Sequence, residues 1–164
     1  LYICSIDNVR RTDKTMDIIY PFLEEALEAT LACYNCLTAG SLHVNVIGSV
    51  HLLRESTQKI LARIRGKYTS NKPMFTLNLA VAYDYEKDMM NHGVWQDPEY
   101  DTRRMSQLDL VIRTGGDKRT SGFFPTKTYY SELFFLKKFW PDLGVSDVVQ
   151  VLRRFKNRQR RFGA

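Results

Sequence analysis

The chain has 164 residues, of which 44% are hydrophobic and 26% are charged. This composition excludes a disordered or collagen-like chain and suits one domain with a real core. Its apolar runs fall far short of the roughly 18 residues of a membrane span, and three cysteines are too few for a disulfide scaffold, so we predict a soluble, cytoplasmic protein. The net charge of +6 resides in residues 151–164, which speaks against nucleic acid as a partner because such binders usually spread basic residues over a face or groove.

Strands and helices are predicted to alternate along the chain. Apolar runs next to turn residues predict strands over 1–4, 43–48, 75–83 and 108–112. Apolar residues recurring every three or four positions predict helices over 16–37, 53–64 and 145–161. Residues 84–107 are polar and poorly periodic, so we predict a mobile loop there. The alternation predicts an α/β fold with a mostly parallel sheet, and such sheets bind ligands beyond the carboxyl ends of their strands.

The last predicted helix combines an apolar face with the basic tail. Its apolar positions are Val148, Val149, Leu152 and Phe155, and we expect it to pack through them with its arginines facing outward. Two interpretations of the tail stay open, a solvated helix end and a functional basic segment.

The densest chemical cluster is the segment RTGGDKRTS, which starts at Arg113 directly after a predicted strand. Gly115 and Gly116 would let the backbone approach a ligand and present N–H groups. Arg113 and Arg119 would each grip phosphate oxygens with two hydrogen bonds, and Ser121 adds a hydroxyl donor. The GxxxxGK[ST] spacing of a Walker A loop is absent. The segment predicts a phosphate or diphosphate site, with an ordinary surface turn as the alternative.

Two further groups of residues carry weaker signals. Glu132 lies in the aromatic run YYSELFF, where a buried carboxylate needs a partner. That partner is either an arginine or a divalent cation bound through oxygen. Asn8 and Arg11 follow the first predicted strand, and on their residues alone a turn with ordinary surface charges is the favoured interpretation.

Several longer segments resemble one known family. LDLVIRTGGDKRTSGF, YYSELFF, FWPDL and RRFKNRQRRFG look like the C-terminal half of a cis-prenyltransferase, the undecaprenyl diphosphate synthase family. Upstream, LYICSIDNVRR resembles the family's YxFSxENWxR segment, and HVNVIG and TLNLAVAY match its middle strands in order. The resemblance runs along the whole chain.

The resemblance implies a fold, a reaction and partners. The fold is a central, mostly parallel sheet surrounded by helices with a hydrophobic tunnel, and residues 1–164 would form one domain that lacks the family's N-terminal phosphate-loop segment. The reaction condenses an allylic diphosphate with isopentenyl diphosphate, releases diphosphate and uses Mg²⁺. The protein would be a homodimer with at most peripheral membrane association.

The resemblance also implies roles for individual residues. Isopentenyl diphosphate would be held by Arg113, Arg119 and Ser121, with Gly115 and Gly116 shaping the loop. Glu132 matches a carboxylate that helps to bind Mg²⁺, and Asp117 stands at a catalytic-site position where the family has glutamate. Asn8 and Arg11 match catalytic-loop positions near the reacting ends. Arg161, Phe162 and Gly163 resemble a tail that reaches toward the partner subunit's site.

Three departures from the family pattern point to alternatives. AYDYEK replaces the usual NYGGR form, Val9 stands where tryptophan is usual, and residues 124–127 replace a stretch that usually carries tryptophan. These changes favour an unusual member, such as one that couples dimethylallyl diphosphates head to middle into a lavandulyl-type product. A non-catalytic partner subunit is a further alternative, and the retained Arg113, Arg119 and Glu132 speak against it.

Overall fold

The computed structural model describes residues 1–32, 41–91, 100, 102 and 105–159, except for the side chains of Thr30 and Ala32. Contacts divide the chain into two compact units, Leu1–Thr102 and Arg103–Ala164. Both units combine helices with a parallel strand pair, so the predicted α/β class is confirmed. The single domain over 1–164 stays a prediction.

The first unit is built on a parallel pair of strands. Strand β1 (Leu42–Ile47) lies beside β2 (Phe75–Ala80), with Leu42 opposite Phe75 and Ile47 opposite Ala80. Both strands confirm the sequence prediction, and their core-facing residues include Val44 and Val46 of β1 and Leu79 of β2. Residues 1–5 make isolated bridges to the end of β2 and to the residues after it, from Tyr2 to Ala80 and from Ser5 to Tyr83, in place of the regular strand predicted over 1–4.

Gly48 directly follows β1, at a position that no other residue could occupy without strain. Its φ is +132°, and an added Cβ would lie 2.0 Å from the carbonyl oxygen of Val81. The glycine therefore lets the neighbouring main chain approach closely where β1 stops.

The described residues of the first unit form four helices, and the two long ones follow the predicted apolar spacing. The four are α1 (Ile6–Arg10), α2 (Thr15–Ala32), α3 (Glu55–Lys67) and α4 (Tyr85–Asn91), and a short 3₁₀ turn (Val50–Leu52) precedes α3. The buried residues of α2 recur every three or four positions, namely Met16, Tyr20, Leu23, Leu27 and Leu31. They join one core with Ile60, Leu61 and Ile64 of α3 and with Val44 and Val46 of β1. Residues 33–37 of the predicted second helix lie outside the described residues.

Helix α4 corrects the prediction that residues 84–107 form a loop. It buries polar side chains, Asp88 and Asn91, instead of an apolar stripe. A helix that buries polar groups has no apolar periodicity to detect, and for that reason the sequence pattern missed it.

The second unit contains another parallel pair. Strand β3 (Leu110–Arg113) lies beside β4 (Glu132–Phe135), and α5 (Pro125–Thr128) lies between them in the chain. A 3₁₀ turn (Trp140–Asp142) then leads into α6 (Val145–Lys156). Among the described residues of both units, no helix has the length and apolar character needed to cross a membrane.

Helix α6 corrects the predicted packing face of the tail. The helix ends at Lys156, and residues 160 and 161 lie outside the described part of the chain. Val151 is buried, whereas Val149 and Leu152 are exposed. Val148 and Phe155 are half-buried, so the packing face passes through positions 148, 151 and 155.

Candidate functional site

Arg113 is the last residue of β3 and therefore lies at the carboxyl end of a parallel strand pair. Its Nη1 donates hydrogen bonds to the carbonyl oxygen of Arg119 at 2.5 Å and to the hydroxyl of Ser121 at 2.9 Å. The Arg113 side chain is 24% exposed, while that of Arg119 is 66% exposed. The structure thus brings together the three residues that the sequence predicted as diphosphate ligands.

Asp117 joins the two arginines. Its Oδ2 accepts a hydrogen bond from Arg119 Nη2 at 2.5 Å and lies 3.3 Å from Arg113 Nη2. We call Arg113, Asp117, Arg119 and Ser121 the arginine cluster. Two guanidinium groups against one carboxylate leave it with excess positive charge, which suits an anionic ligand.

The two glycines of the loop shape the main chain. Gly115 and Gly116 have φ values of +89° and +84°, a region that favours glycine. Their N–H groups donate to the carbonyls of Lys138 at 2.8 Å and Leu136 at 2.9 Å. The expectation that these amides face a ligand is therefore not met in this structure. They tie the loop to the chain that follows β4.

The same loop holds two non-glycine residues in the left-handed region. Ser121 has a φ of +49° and Phe124 a φ of +38°, conformations that cost about 1–3 kcal/mol each when the surrounding structure imposes them. The hydrogen bond from Arg113 holds Ser121 in place, and Phe124 is buried. Such strain concentrates at ligand-binding segments.

Glu132 lies at the opposite end of the strand pair. It is paired with Leu110, whereas Arg113 is paired with Phe135, so the two ends are separated by three residues, about 10 Å of strand. The Glu132 Oε2 lies 3.6 Å from Arg158 Nε, and the guanidinium of Arg158 lies over the Phe134 ring at 5.9 Å. Of the two partners that the sequence left open, the structure shows the arginine.

Glu132 suits a magnesium site in which one protein carboxylate binds the ion and the other ligands are water and phosphate oxygens. In the described ranges, no three side chains of the metal-ligating types converge on one point. The side chain of Glu132 is 26% exposed and its ion pair is long, so one carboxylate is available to a cation. Mg²⁺ is commonly held by one or two carboxylates and takes its other ligands from water and substrate phosphates. Glu132 fits such an ion.

Asn8 and Arg11 lie in the first unit. Asn8 belongs to a capping box, in which its N–H donates to Ser5 Oγ at 3.2 Å and its Oδ1 accepts from the Ser5 N–H at 2.9 Å. Arg11 follows α1 and is exposed. The capping box gives this short turn a defined shape, and the predicted role of both residues near the reacting ends stays a prediction.

A buried polar network beyond the carboxyl end of β2 was missed by the sequence analysis. The hydroxyl of Tyr83 donates to Asp88 Oδ2 at 2.5 Å, and the hydroxyl of Thr102 donates to Asp88 Oδ1. All three side chains are almost completely buried, and burial together with the hydrogen bond to Asp88 raises the pKa of Tyr83. Tyr83 therefore stays a neutral donor. A tyrosine after an apolar strand, followed five residues later by aspartate, was the available signal.

The network has a second branch with a basic group. Ser49 Oγ lies 2.9 Å from Tyr100 Oη, and Lys87 Nζ donates to Ser49 Oγ at 3.3 Å. Lys87 Nζ also lies 5.5 Å from the centre of the Tyr100 ring. Ser49 and Tyr100 are fully buried, so this branch anchors the residues that follow the ends of β1 and β2.

Comparisons with known proteins agree on one family. A family model described as "Putative undecaprenyl diphosphate synthase" matches residues 1–163. The isoprenyl transferase of Rickettsia prowazekii is 30% identical over 99% of this chain and 76% of that protein. A tritrans,polycis-undecaprenyl-diphosphate synthase (geranylgeranyl-diphosphate specific) of Pyrobaculum aerophilum is 29% identical over 97% of this chain and 73% of its own length.

Solved structures share the fold. The crystal structure of lavandulyl diphosphate synthase from Lavandula x intermedia in complex with dimethylallyl diphosphate matches with a TM-score of 0.79 at 24% identity, over 99% of this chain and 77% of that one. A probable undecaprenyl diphosphate synthase from Campylobacter jejuni matches with a TM-score of 0.77 at 20% identity, over 100% of this chain and 82% of that one. At these identities the likeness is one of fold.

Proposed function

The chain belongs to the undecaprenyl diphosphate synthase family of prenyltransferases, and on this premise we propose that it joins an allylic diphosphate to isopentenyl diphosphate and releases diphosphate. The observation that carries the proposal is the arginine cluster. Arg113 and Arg119 converge on one carboxylate beyond the end of β3, so both guanidinium groups reach a single anionic group, and guanidinium groups also bind phosphate oxygens.

The arginine cluster would bind and orient isopentenyl diphosphate. A guanidinium group presents a planar fork of donors that matches two phosphate oxygens, and Ser121 Oγ adds a hydroxyl within 2.9 Å of Arg113 Nη1. The partial burial of Arg113 strengthens its contacts, because charge-assisted hydrogen bonds are worth more away from water. Fixing the diphosphate fixes the position of the reacting double bond, which lowers the entropic part of the barrier.

In the proposed reaction, the allylic C–O bond breaks and its electron pair leaves with the diphosphate. The double bond of isopentenyl diphosphate supplies the electrons of the new C–C bond, and a proton then leaves the coupled product. Mg²⁺, when bound, neutralises charge on the leaving diphosphate, and Glu132 would hold it. Asn8 and Arg11 would contact the reacting ends from the turn at α1, whose capping box fixes their main chain.

We also propose that the protein acts as a homodimer. The second unit exposes a set of large apolar side chains: Phe139, Trp140, Val145, Val149 and Leu152. Large exposed apolar side chains are typical of interaction surfaces, and a second copy of the chain would cover them.

A second candidate reaction couples dimethylallyl diphosphates head to middle. The observation that favours it is Val9, which packs half-buried against the core where the family usually has tryptophan. A smaller side chain next to Asn8 changes the space available to the reacting ends. The diphosphate contacts would be the same in both reactions, whereas the products would differ.

The test is a product assay with labelled isopentenyl diphosphate, an allylic diphosphate and Mg²⁺. We expect label in a longer prenyl product, and we expect Arg113→Ala to abolish it. Branched products that form from dimethylallyl diphosphate alone, without the isopentenyl label, would support the second candidate. Intact pyrophosphate binding without any coupling would instead identify a non-catalytic partner subunit.

A further inference from the structure

One oxygen of Asp117 contacts both arginines of the candidate site. Its Oδ2 lies 2.5 Å from Arg119 Nη2 and 3.3 Å from Arg113 Nη2. We propose that this carboxylate is an internal competitor of the diphosphate, because it occupies the arginine donors that the ligand must use. The inference rests on the proposed function, since a competitor requires a diphosphate that binds there.

The hydrogen bonds of Arg113 show why the two anions compete. Its Nη1 donates to the Arg119 carbonyl and to Ser121, and its Nη2 faces Asp117. Both terminal nitrogens are therefore engaged within the loop. A phosphate oxygen that bridges Nη2 of both arginines must displace the carboxylate, because the two would share the position between the guanidinium groups.

The exposure of the cluster makes that displacement feasible. The side chain of Asp117 is 47% exposed and that of Arg119 is 66% exposed, and ion pairs in contact with water stabilise a structure only slightly. A diphosphate brings more charge and more acceptor oxygens than one carboxylate, so it can replace Asp117 on both guanidinium groups.

The Asp117 carboxylate also holds the two arginines together before the ligand binds. Arg113 and Arg119 repel each other, and Asp117 keeps their guanidinium groups close by bridging them. The bridge therefore positions the two arginines for a ligand, and it also weakens the binding of any anion. Asp117 acts as a positioning residue whose removal should tighten diphosphate binding.

Calorimetry with inorganic pyrophosphate, in metal-free buffer, tests this prediction. We expect Asp117→Asn to bind pyrophosphate roughly three- to tenfold more tightly than wild type, the combined size of two exposed ion pairs. Asp117→Glu keeps the charge and should stay within about twofold of wild type. Asp142→Asn is the matched control, because it removes one exposed carboxylate of the same unit and should leave the affinity unchanged.

Repeating Asp117→Asn in the Arg119→Ala protein shows whether Asp117 acts through its contact with Arg119. In Arg119→Ala, one of the two contacts is gone, so the gain from Asp117→Asn should shrink. A gain of equal size in both backgrounds, or in Asp142→Asn, would mean a general charge effect and overturn the inference. Weaker or unchanged binding by Asp117→Asn, with wild type binding normally, would overturn it as well. If wild type itself fails to bind pyrophosphate, the proposed diphosphate site is wrong and the inference falls with it.

Discussion

The carboxylate of Glu24 on α2 accepts two hydrogen bonds from the guanidinium of Arg54, which immediately precedes α3. Arg54 Nε lies 2.8 Å from Oε1 and Arg54 Nη2 lies 2.6 Å from Oε2. Ser56 and Thr57, in the first turn of α3, donate their hydroxyls to the same Oε1 at 2.8 and 2.5 Å. These bonds lower the pKa of Glu24 from 4.5 to about 2, with Arg54 as the largest cause. One acidic side chain thus joins the two helices that cover the β1–β2 pair.

The Glu24 contacts predict a pH-dependent stability. The pKa of Glu24 is lower in the folded state than in the unfolded state, so its contribution is fully present above about pH 4.5 and is lost as the pH falls toward 2. We expect Glu24→Gln to lower the free energy of unfolding at pH 7 by about 1–2 kcal/mol, with the difference shrinking toward pH 2. Urea denaturation at several pH values measures this. Glu25→Gln, an exposed neighbour on α2, is the control, and a pH-independent difference would contradict the prediction.

The diphosphate site predicts different effects for its two arginines. Arg113→Ala and Arg119→Ala should each weaken pyrophosphate binding by about 1.5–3 kcal/mol, the range of a charge-assisted hydrogen bond. Arg113→Ala should have the larger effect, because Arg113 is less exposed than Arg119 and also holds Ser121. Calorimetry measures both affinities. Arg153→Ala, an exposed arginine of α6, is the control, and equal affinities in all four proteins would exclude the site.

Apolar spacing and local composition account for what the sequence predicted correctly. Strand β1 and helix α2 bury side chains at regular intervals, and β2 is a short run rich in apolar residues, so these signals are visible without any tertiary information. The arginine cluster was visible as well, because Arg113, Arg119 and Ser121 are close together in the chain. Contacts within nine residues need only a turn to form.

Other features depended on partners that are distant in the chain or on main-chain geometry. Asp88 is buried in α4 because Tyr83 and Thr102 donate to it, and no local pattern indicates such a pairing. The N–H groups of Gly115 and Gly116 are engaged by residues that follow β4, which composition cannot show. On α6, Val151 is buried while Leu152 is exposed, because tertiary contacts selected one of two adjacent apolar positions.

Replacing Gly66 or Gly116 by alanine should change the free energy of unfolding in opposite directions. Gly66 lies in α3 with nothing within 4 Å of an added Cβ, so Gly66→Ala should stabilise the protein by about 0.5–1 kcal/mol through the better helix propensity of alanine. Gly116 has a φ of +84°, so Gly116→Ala should cost about 1–2 kcal/mol because alanine is strained in that region. Chemical denaturation of both variants tests the pair. Equal shifts of the same sign would contradict the assigned backbone conformations.

The buried network predicts the effect of removing one hydroxyl. Tyr83→Phe leaves a fully buried carboxylate oxygen of Asp88 without its tyrosine donor, which should cost about 1–3 kcal/mol of unfolding free energy. Tyr85→Phe removes the hydroxyl of an exposed tyrosine on α4 and should change stability little. Thermal denaturation compares the two variants. A Tyr83→Phe protein as stable as wild type would show that Asp88 needs no donor at that oxygen.

Variants of Glu132 and Arg158 distinguish two roles of Glu132, a ligand of Mg²⁺ and a partner in a structural ion pair. Glu132→Gln preserves shape but removes charge, so we expect turnover to fall on the order of a hundredfold or more, the size of a single electrostatic contribution to catalysis, and the Mg²⁺ requirement to rise. Turnover across a magnesium titration measures both, and the melting temperature should barely move because the contact with Arg158 is long, at 3.6 Å. Arg158→Ala breaks the same contact from the other side and leaves the carboxylate in place, so it should retain the wild-type magnesium dependence. If Glu132→Gln matches wild type at every magnesium concentration while both variants lose the same stability, Glu132 serves only the ion pair.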